Sequence, residues 1–239
     1  MEVQQLKQSN INYISFSEKG KRIENEDKVI SCQLDNENYL FIVLDGMGGH
    51  DNGLEVTTFV SQIIINNFSS IDIITRDNIQ KILFDINKEI TNKFINSGCT
   101  IGGIIISDKI LHYFWIGDVR LFISIDNQIV LISKEHNLLN LLKEANIRIK
   151  SDELDRLRNT VTQALGIKEQ ELSPEIGSIE INGDLKFIIC SDGVSNVEAN
   201  QYPLKHFNCM QPDEIQSTIQ SNCQIYSKDN YSAIIGFSV

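Results

Sequence analysis

Three times in this 239-residue chain an apolar run leads straight to an aspartate: Phe41-Ile-Val-Leu-Asp45-Gly46, Tyr113-Phe-Trp-Ile-Gly-Asp118 and Phe187-Ile-Ile-Cys-Ser-Asp192-Gly193. A fourth aspartate, in Asp229-Asn230, comes just before the last apolar run. Each Asp-Gly alone reads as a turn, because Asp tolerates turn geometry and Gly supplies positive φ. Taken together, the four describe rigid strand ends that present carboxylates to one point. Hard divalent cations such as Mg²⁺ and Mn²⁺ prefer oxygen ligands of that kind, and glycine beside the acid lets a backbone carbonyl approach the ion. The segment Arg22-Ile-Glu-Asn-Glu-Asp27 adds further acids and one base. Carboxylates near a metal pair can hold its waters in place, and an arginine can grip a phosphoryl group with its planar fork.

The elements that must position these groups follow from hydrophobic spacing. Residues 39–44 form a short, fully apolar run that suits an inner strand covered on both faces. Residues 56–68 have helical spacing, and 77–95 repeat it with a stripe of Ile79, Ile82, Leu83, Ile86, Ile90 and Phe94. Two hairpins are predicted next, 100–107 with 110–116 and 120–125 with 129–133, joined by Asp108-Lys109 and Asp126-Asn127-Gln128. Residues 135–160 are polar and weakly helical, an insert rather than core. A strand at 185–190, a helix at 213–222 and a closing strand at 231–239 complete the series. Helical pairs beside hairpins, without βαβ alternation, indicate an α+β domain with antiparallel sheets.

Composition narrows the class. With 41% hydrophobic and 22% charged residues and only three prolines, the chain reads as one globular domain over 1–239. Its 21 basic residues against 32 acidic ones give a formal net charge of −11, which argues against nucleic acid or an anionic membrane as the main partner. Five cysteines without a C-x-x-C pair argue against a disulfide framework or a zinc site and favour a reducing, cytoplasmic compartment. The N-terminus lacks the apolar core of a signal peptide, and no run approaches the roughly 20 apolar residues of a membrane span. A monomer is expected.

In order, Arg22-Ile-Glu-Asn-Glu-Asp27, Val43-Leu-Asp-Gly-Met-Gly-Gly-His50, Gly117-Asp-Val-Arg120, Val161-Thr-Gln-Ala-Leu-Gly166, Cys190-Ser-Asp-Gly193 and Asp229-Asn230 resemble the motifs of the metal-dependent protein phosphatase 2C family, especially its compact bacterial form. The resemblance implies a four-layer α-β-β-α sandwich of two antiparallel sheets flanked by helices, with a flap insert at 135–160. It implies a serine/threonine phosphatase acting on phosphorylated proteins, partnered by a cognate kinase in signal transduction and using two Mn²⁺ or Mg²⁺ ions. Asp45 is similar to the carboxylate that bridges both ions, with the Gly46 carbonyl completing one site and Asp192 and Asp229 serving the other. Glu26 and Asp27 resemble outer acids that hold metal waters, and Arg22 resembles the phosphate-gripping arginine. Asp118, with Asp192, resembles a third metal site, and Asn230 a supporting residue. The implied chemistry is in-line attack by a metal-activated bridging water, without a phosphoenzyme.

Several positions depart from the family pattern. Met47 stands where animal relatives carry a histidine proposed as general acid, and His50 is the nearest substitute. Val119 replaces a serine, Cys99 a Ser/Thr, and Glu135 the Asp of an Asp-His pair at the start of the flap. Other chemistries fit less well. A haloacid-dehalogenase-type site needs an acid at Met47, and no cysteine is followed by an arginine six residues on. Calcineurin-like sites need more histidines than His50, His112, His136 and His206, and Gly46-Met-Gly48 lacks the third glycine of a dinucleotide loop. The remaining alternative is a catalytically inactive phosphatase-like module that only binds a phosphoprotein. Inactive relatives usually lack one of the metal aspartates, and all are present here.

Overall fold

A strand apolar at every position has to be covered on both faces, and the computed structural model of this chain is built around several such strands. It describes residues 11–34, 38–47, 52–71, 73–168 and 171–238. The strands are β1 (Ile11–Glu18), β2 (Lys28–Gln33), β3 (Asn38–Met47), β4 (Gly98–Ser107), β5 (Ile110–Ile116), β6 (Arg120–Ile125), β7 (Gln128–Ile132), β8 (Glu175–Glu180), β9 (Leu185–Cys190) and β10 (Tyr231–Ser238). The helices are α1 (Gly53–Ser69), α2 (Arg76–Lys93), α3 (Leu138–Glu144), α4 (Leu154–Arg158), α5 (Asp192–Ser195), α6 (Gln201–His206) and α7 (Pro212–Tyr226). They form two five-stranded sheets, β1-β10-β9-β6-β7 and β2-β3-β4-β5-β8, with every pairing antiparallel.

The alternation of side chains along each strand assigns the layers. In β3, Leu40, Ile42 and Leu44 pack with Val56, Val60 and Ile64 of α1 and with Ile79, Leu83 and Ile86 of α2. Phe41 and Val43 face the other way, onto Leu121, Phe187, Ile189 and Ile234 of the second sheet. Beyond that sheet, Phe122, Ile188, Cys190 and Ile235 meet Leu204, Ile215 and Ile219 of α6 and α7. The order is therefore helices, sheet, sheet, helices: the α-β-β-α sandwich expected from the sequence.

Boundaries moved where local geometry overrode spacing. Strand β3 runs on to Met47, so Asp45 lies inside a strand and not in a turn. Helix α2 stops at Lys93 because Phe94 is extended, at φ −117° and ψ 147°. The second hairpin turns on two residues, Asp126 and Asn127, at φ 49° and 60°, with Gln128 already in β7. Strands β1, β2 and β8 are additions to the predicted set. The insert at 135–160 is less detached than expected, since Leu139 and Leu157 are buried beneath α3 and α4. Among the described residues no helix is long and apolar enough to cross a membrane. All five cysteines are free thiols.

One lysine ties the outer helices to their sheet. Lys186 of β9 donates to the carbonyls of Phe207 (3.2 Å), Asn208 (3.0 Å) and Met210 (2.6 Å), capping the 3-10 turn that ends α6. Hydrogen bonds from a charged donor contribute most when water is restricted. Lys186→Met is expected to lower unfolding free energy by about 1–3 kcal/mol in urea denaturation, with phosphoester hydrolysis per folded molecule unchanged.

Candidate active site

The predicted residues reach one place by different routes. Asp45 pairs in register with Thr100 near the end of β3, and Gly46 follows it in the same strand. Asp118 follows β5 after Gly117, which takes a positive φ of 100°. Asp192 opens α5 immediately beyond β9, and Asp229 stands two residues before β10. Strands β9 and β10 are neighbours, so Asp192 and Asp229 come from adjacent ends of one sheet. Asp45 and Asp118 come from the other.

Neither Gly46 nor Gly193 sits in an Asp-Gly turn. A Cβ on Gly193 would stand 1.8 Å from the Asn230 carbonyl oxygen, and one on Gly46 would stand 2.9 Å from Glu26 Cβ. Both glycines let backbones approach closely, so the acids beside them can converge. Asn230 then laces the Arg22–Asp27 loop to the sheet. Its Oδ1 accepts from the Glu26 N–H (2.9 Å), while its Nδ2 donates to the Lys19 (2.9 Å) and Glu24 (2.8 Å) carbonyls.

The acids surround an open cavity of about 870 Å³ lined by Arg22, Glu24, Glu26, Asp45, Gly46, Asp118, Asp192, Asp229 and Asn230. Asp27 does not line it. Asp27 is buried, its Oδ2 accepting from Ser191 Oγ (2.8 Å) and its Oδ1 without a hydrogen-bond partner among the described residues. Arg22 reaches the cavity and forms an ion pair with Asp229 at 2.6 Å. His50 lies outside the described residues.

Loss of hydration, compounded by neighbouring acids, raises the pKa of Glu26, Asp27, Asp45, Asp118 and Asp192. Burial lifts Asp118 to about 8, with Asp192 adding to the effect. Burial likewise takes Asp27 to about 7, and Asp192 to about 6 with Asp229 contributing. Asp45 is pushed well above the usual carboxylate range by burial, then by Asp27, Asp192, Asp118 and Asp229. Arg22 is the one cation on the wall among the described residues. Among the described residues, no three His, Cys, Asp or Glu side chains already stand at ligand distance from a single point. The acids ring the cavity, Asp45 and Asp192 within side-chain hydrogen-bond reach of each other and Asp229 drawn to Arg22.

Two contributors were not singled out from sequence. Asn159, which caps α4, lines the cavity. Asn196 donates both to Asp192 Oδ2 and to Asn159 Oδ1, each at 3.3 Å, joining the insert to an acid of the site. Asparagines in polar loops carry no periodic signal, so neither stood out.

A sandwich of two antiparallel sheets whose strand ends hold a ring of acids and one arginine is an architecture suited to hydrolysing an anionic ester. Residues 17–219 match the family model described as protein phosphatase 2C, and the chain belongs to that family. Among its relatives, the protein phosphatase PhpP of Streptococcus pneumoniae is 26% identical over 191 residues, covering 74% of this chain and 76% of that protein. Solved structures share the fold. The serine/threonine phosphatase Stp1 of Staphylococcus aureus superposes with a TM-score of 0.79 at 21% identity, covering 100% of this chain and 99% of Stp1. The catalytic domain of the serine/threonine protein phosphatase PstP, in complex with two manganese ions, gives 0.79 at 20% identity, covering 96% and 98%.

Proposed function

We propose that this chain is a metal-dependent phosphatase of phosphoserine and phosphothreonine in proteins, its whole length acting as one catalytic domain in the cytoplasm. The observation that carries the reading is the electrostatic deficit of the cavity. Among the described residues, four aspartates, Glu24 and Glu26 crowd one space with a single guanidinium, and burial and mutual repulsion raise the pKa of Asp45, Asp118, Asp192 and Glu26. Divalent cations relieve such a deficit, and the carboxylates there offer them hard oxygen donors. The family membership and the manganese in PstP point the same way.

In this reading Asp45, the Gly46 carbonyl, Asp192 and Asp229 hold two Mn²⁺ or Mg²⁺ ions. Asp118 with Asp192 holds a third, and Glu26 and Asp27 orient metal-bound water. When bound, the ions neutralise phosphoryl charge and supply an activated water as nucleophile. The chain's own residues do the rest. Arg22, exposed and, among the described residues, held by Asp229 alone, swings its fork onto the phosphoryl oxygens and fixes the ester for in-line attack. Asn230 keeps the Arg22–Asp27 loop against β10, and Asn196 keeps the Asp192 carboxylate oriented.

Hydrolysis of p-nitrophenyl phosphate and of phosphoserine, phosphothreonine and phosphotyrosine peptides, with Mn²⁺ or with EDTA, tests the reading. Turnover is expected only with metal and, among peptides, for the serine and threonine esters. Turnover undiminished by EDTA would overturn it. Arg22→Ala is expected to raise KM for phosphoesters about tenfold, the loss of one charge-assisted contact. Its Mn²⁺ affinity, read by calorimetry, should not fall, because the change frees Asp229.

A further inference from the structure

A second cleft, of about 320 Å³, opens between α3 and the edge of the sheet formed by β5 and β8. That volume is at the small end of ligand pockets. One wall is aromatic: Trp115 and His136 lie with ring centroids 6.2 Å apart and planes tilted by 37°. The indole N–H is already spent on the Lys134 carbonyl (3.0 Å), and the ring stacks on Tyr113 at 6.0 Å while Trp115 lines the cleft. Glu175 lies directly across the ladder from Trp115. Three carboxylates line the cleft, and two are answered: Glu135 by Arg120 at 3.1 Å and Glu144 by Lys134. Glu175 has no ion-pair partner among the described residues. An aromatic face beside an unanswered carboxylate is the chemistry that recognises a guanidinium or ammonium group.

This cleft and the acid-ringed cavity share a wall. Thr162 donates its N–H to the His136 carbonyl (2.8 Å), and Asn137 bridges to Val161. Val161 lines the acid-ringed cavity, while Thr162 and Gln163 line the cleft. A peptide lying across this ladder reaches both spaces.

We propose that the cleft docks a cationic side chain, arginine or lysine, of the phosphoprotein whose phosphorylated residue occupies the neighbouring cavity. The inference rests on the phosphatase reading above and adds a preference among its substrates. The chain's net charge of −11 favours approach of a basic segment. Arginine is the better fit, because its guanidinium is weakly hydrated and stacks on aromatic faces.

The test uses intact protein with Mn²⁺ and phosphoserine peptides carrying one arginine at successive positions, each matched by a norleucine control. At one or more positions arginine is expected to lower KM about three- to tenfold. Glu175→Gln should erase that preference while leaving the norleucine peptides and p-nitrophenyl phosphate unaffected. Equal KM values at every position, or a preference that survives both Glu175→Gln and Glu175→Lys, would overturn the proposal. A second readout needs no turnover. Trp115 is the chain's only tryptophan, so its fluorescence reports occupancy of the cleft. An unphosphorylated arginine peptide is expected to give a saturable change that Glu175→Gln abolishes, with free argininamide binding more weakly. An unresponsive tryptophan, or argininamide binding as tightly as the peptide, would rule out substrate docking. Loss of turnover with fluorescence binding intact would instead count against the phosphatase reading.

Discussion

Replacing Asp45 with asparagine is expected to reduce metal-dependent phosphoester hydrolysis by at least about 10³-fold while raising the thermal midpoint of the protein in EDTA. The two effects have one cause. Asp45 is the acid whose ionisation is opposed by the most neighbours, namely Asp27, Asp192, Asp118 and Asp229, on top of its burial. Without a cation that carboxylate is a cost to the fold, and an isosteric amide removes it. With cations the same carboxylate is the proposed bridge between them, and the amide is a poor substitute. Asp192→Asn should behave alike in direction. A purified Asp45→Asn protein with full activity would remove Asp45 from the site. One destabilised in EDTA would show that its carboxylate supports the fold without metal.

Stability in EDTA is expected to fall as pH rises from about 5 to 8, and saturating Mn²⁺ to reverse the trend. Asp192, Asp27 and Asp118 hold protons up to about 6, 7 and 8, whereas an unfolded aspartate releases its proton near pH 4, about 3.9. In that interval the unfolded chain binds fewer protons than the folded one, so unfolding becomes easier with increasing pH. Cations bind the deprotonated carboxylates, so their stabilisation grows over the same interval. At a hundred times Kd the added stability is about 2.7 kcal/mol. Thermal melts in EDTA and in Mn²⁺ across this range read both slopes. A flat profile in EDTA would mean that the acids do not repel one another.

The strands with two-sided burial were legible in the sequence, as were the amphipathic stripes of α1, α2 and α7 and, through its turn, the exposed edge β7. Strand β3 is apolar at every position from Leu40 to Leu44 because helices cover one face and a sheet the other, and β4, β5, β6 and β9 read equally well. Strands β1 and β8 are edges with exposed polar residues on both faces, Asn12, Ser15 and Ser17 in one and Glu175 and Ser178 in the other. Their alternation was too dilute to register as strand. At the site, an acid after an apolar run was visible for Asp45, Asp118 and Asp192, yet the run could not tell that Asp45 is in a strand and Asp192 in a helix. Convergence was not legible from any one segment. It depends on β10 lying beside β9 and on Asn230 binding the Arg22–Asp27 loop through hydrogen bonds that span 204 and 206 residues. Asn159 and Asn196 act through isolated side-chain hydrogen bonds, which leave no pattern along the chain.

Anomalous scattering from a crystal grown with Mn²⁺ tests the central claim most directly. The account predicts two strong peaks in the acid-ringed cavity, with the carboxylates of Asp45, Asp192 and Asp229 turned onto them and Asp45 shared between both. Manganese bound elsewhere, with those three carboxylates facing apart, would contradict it.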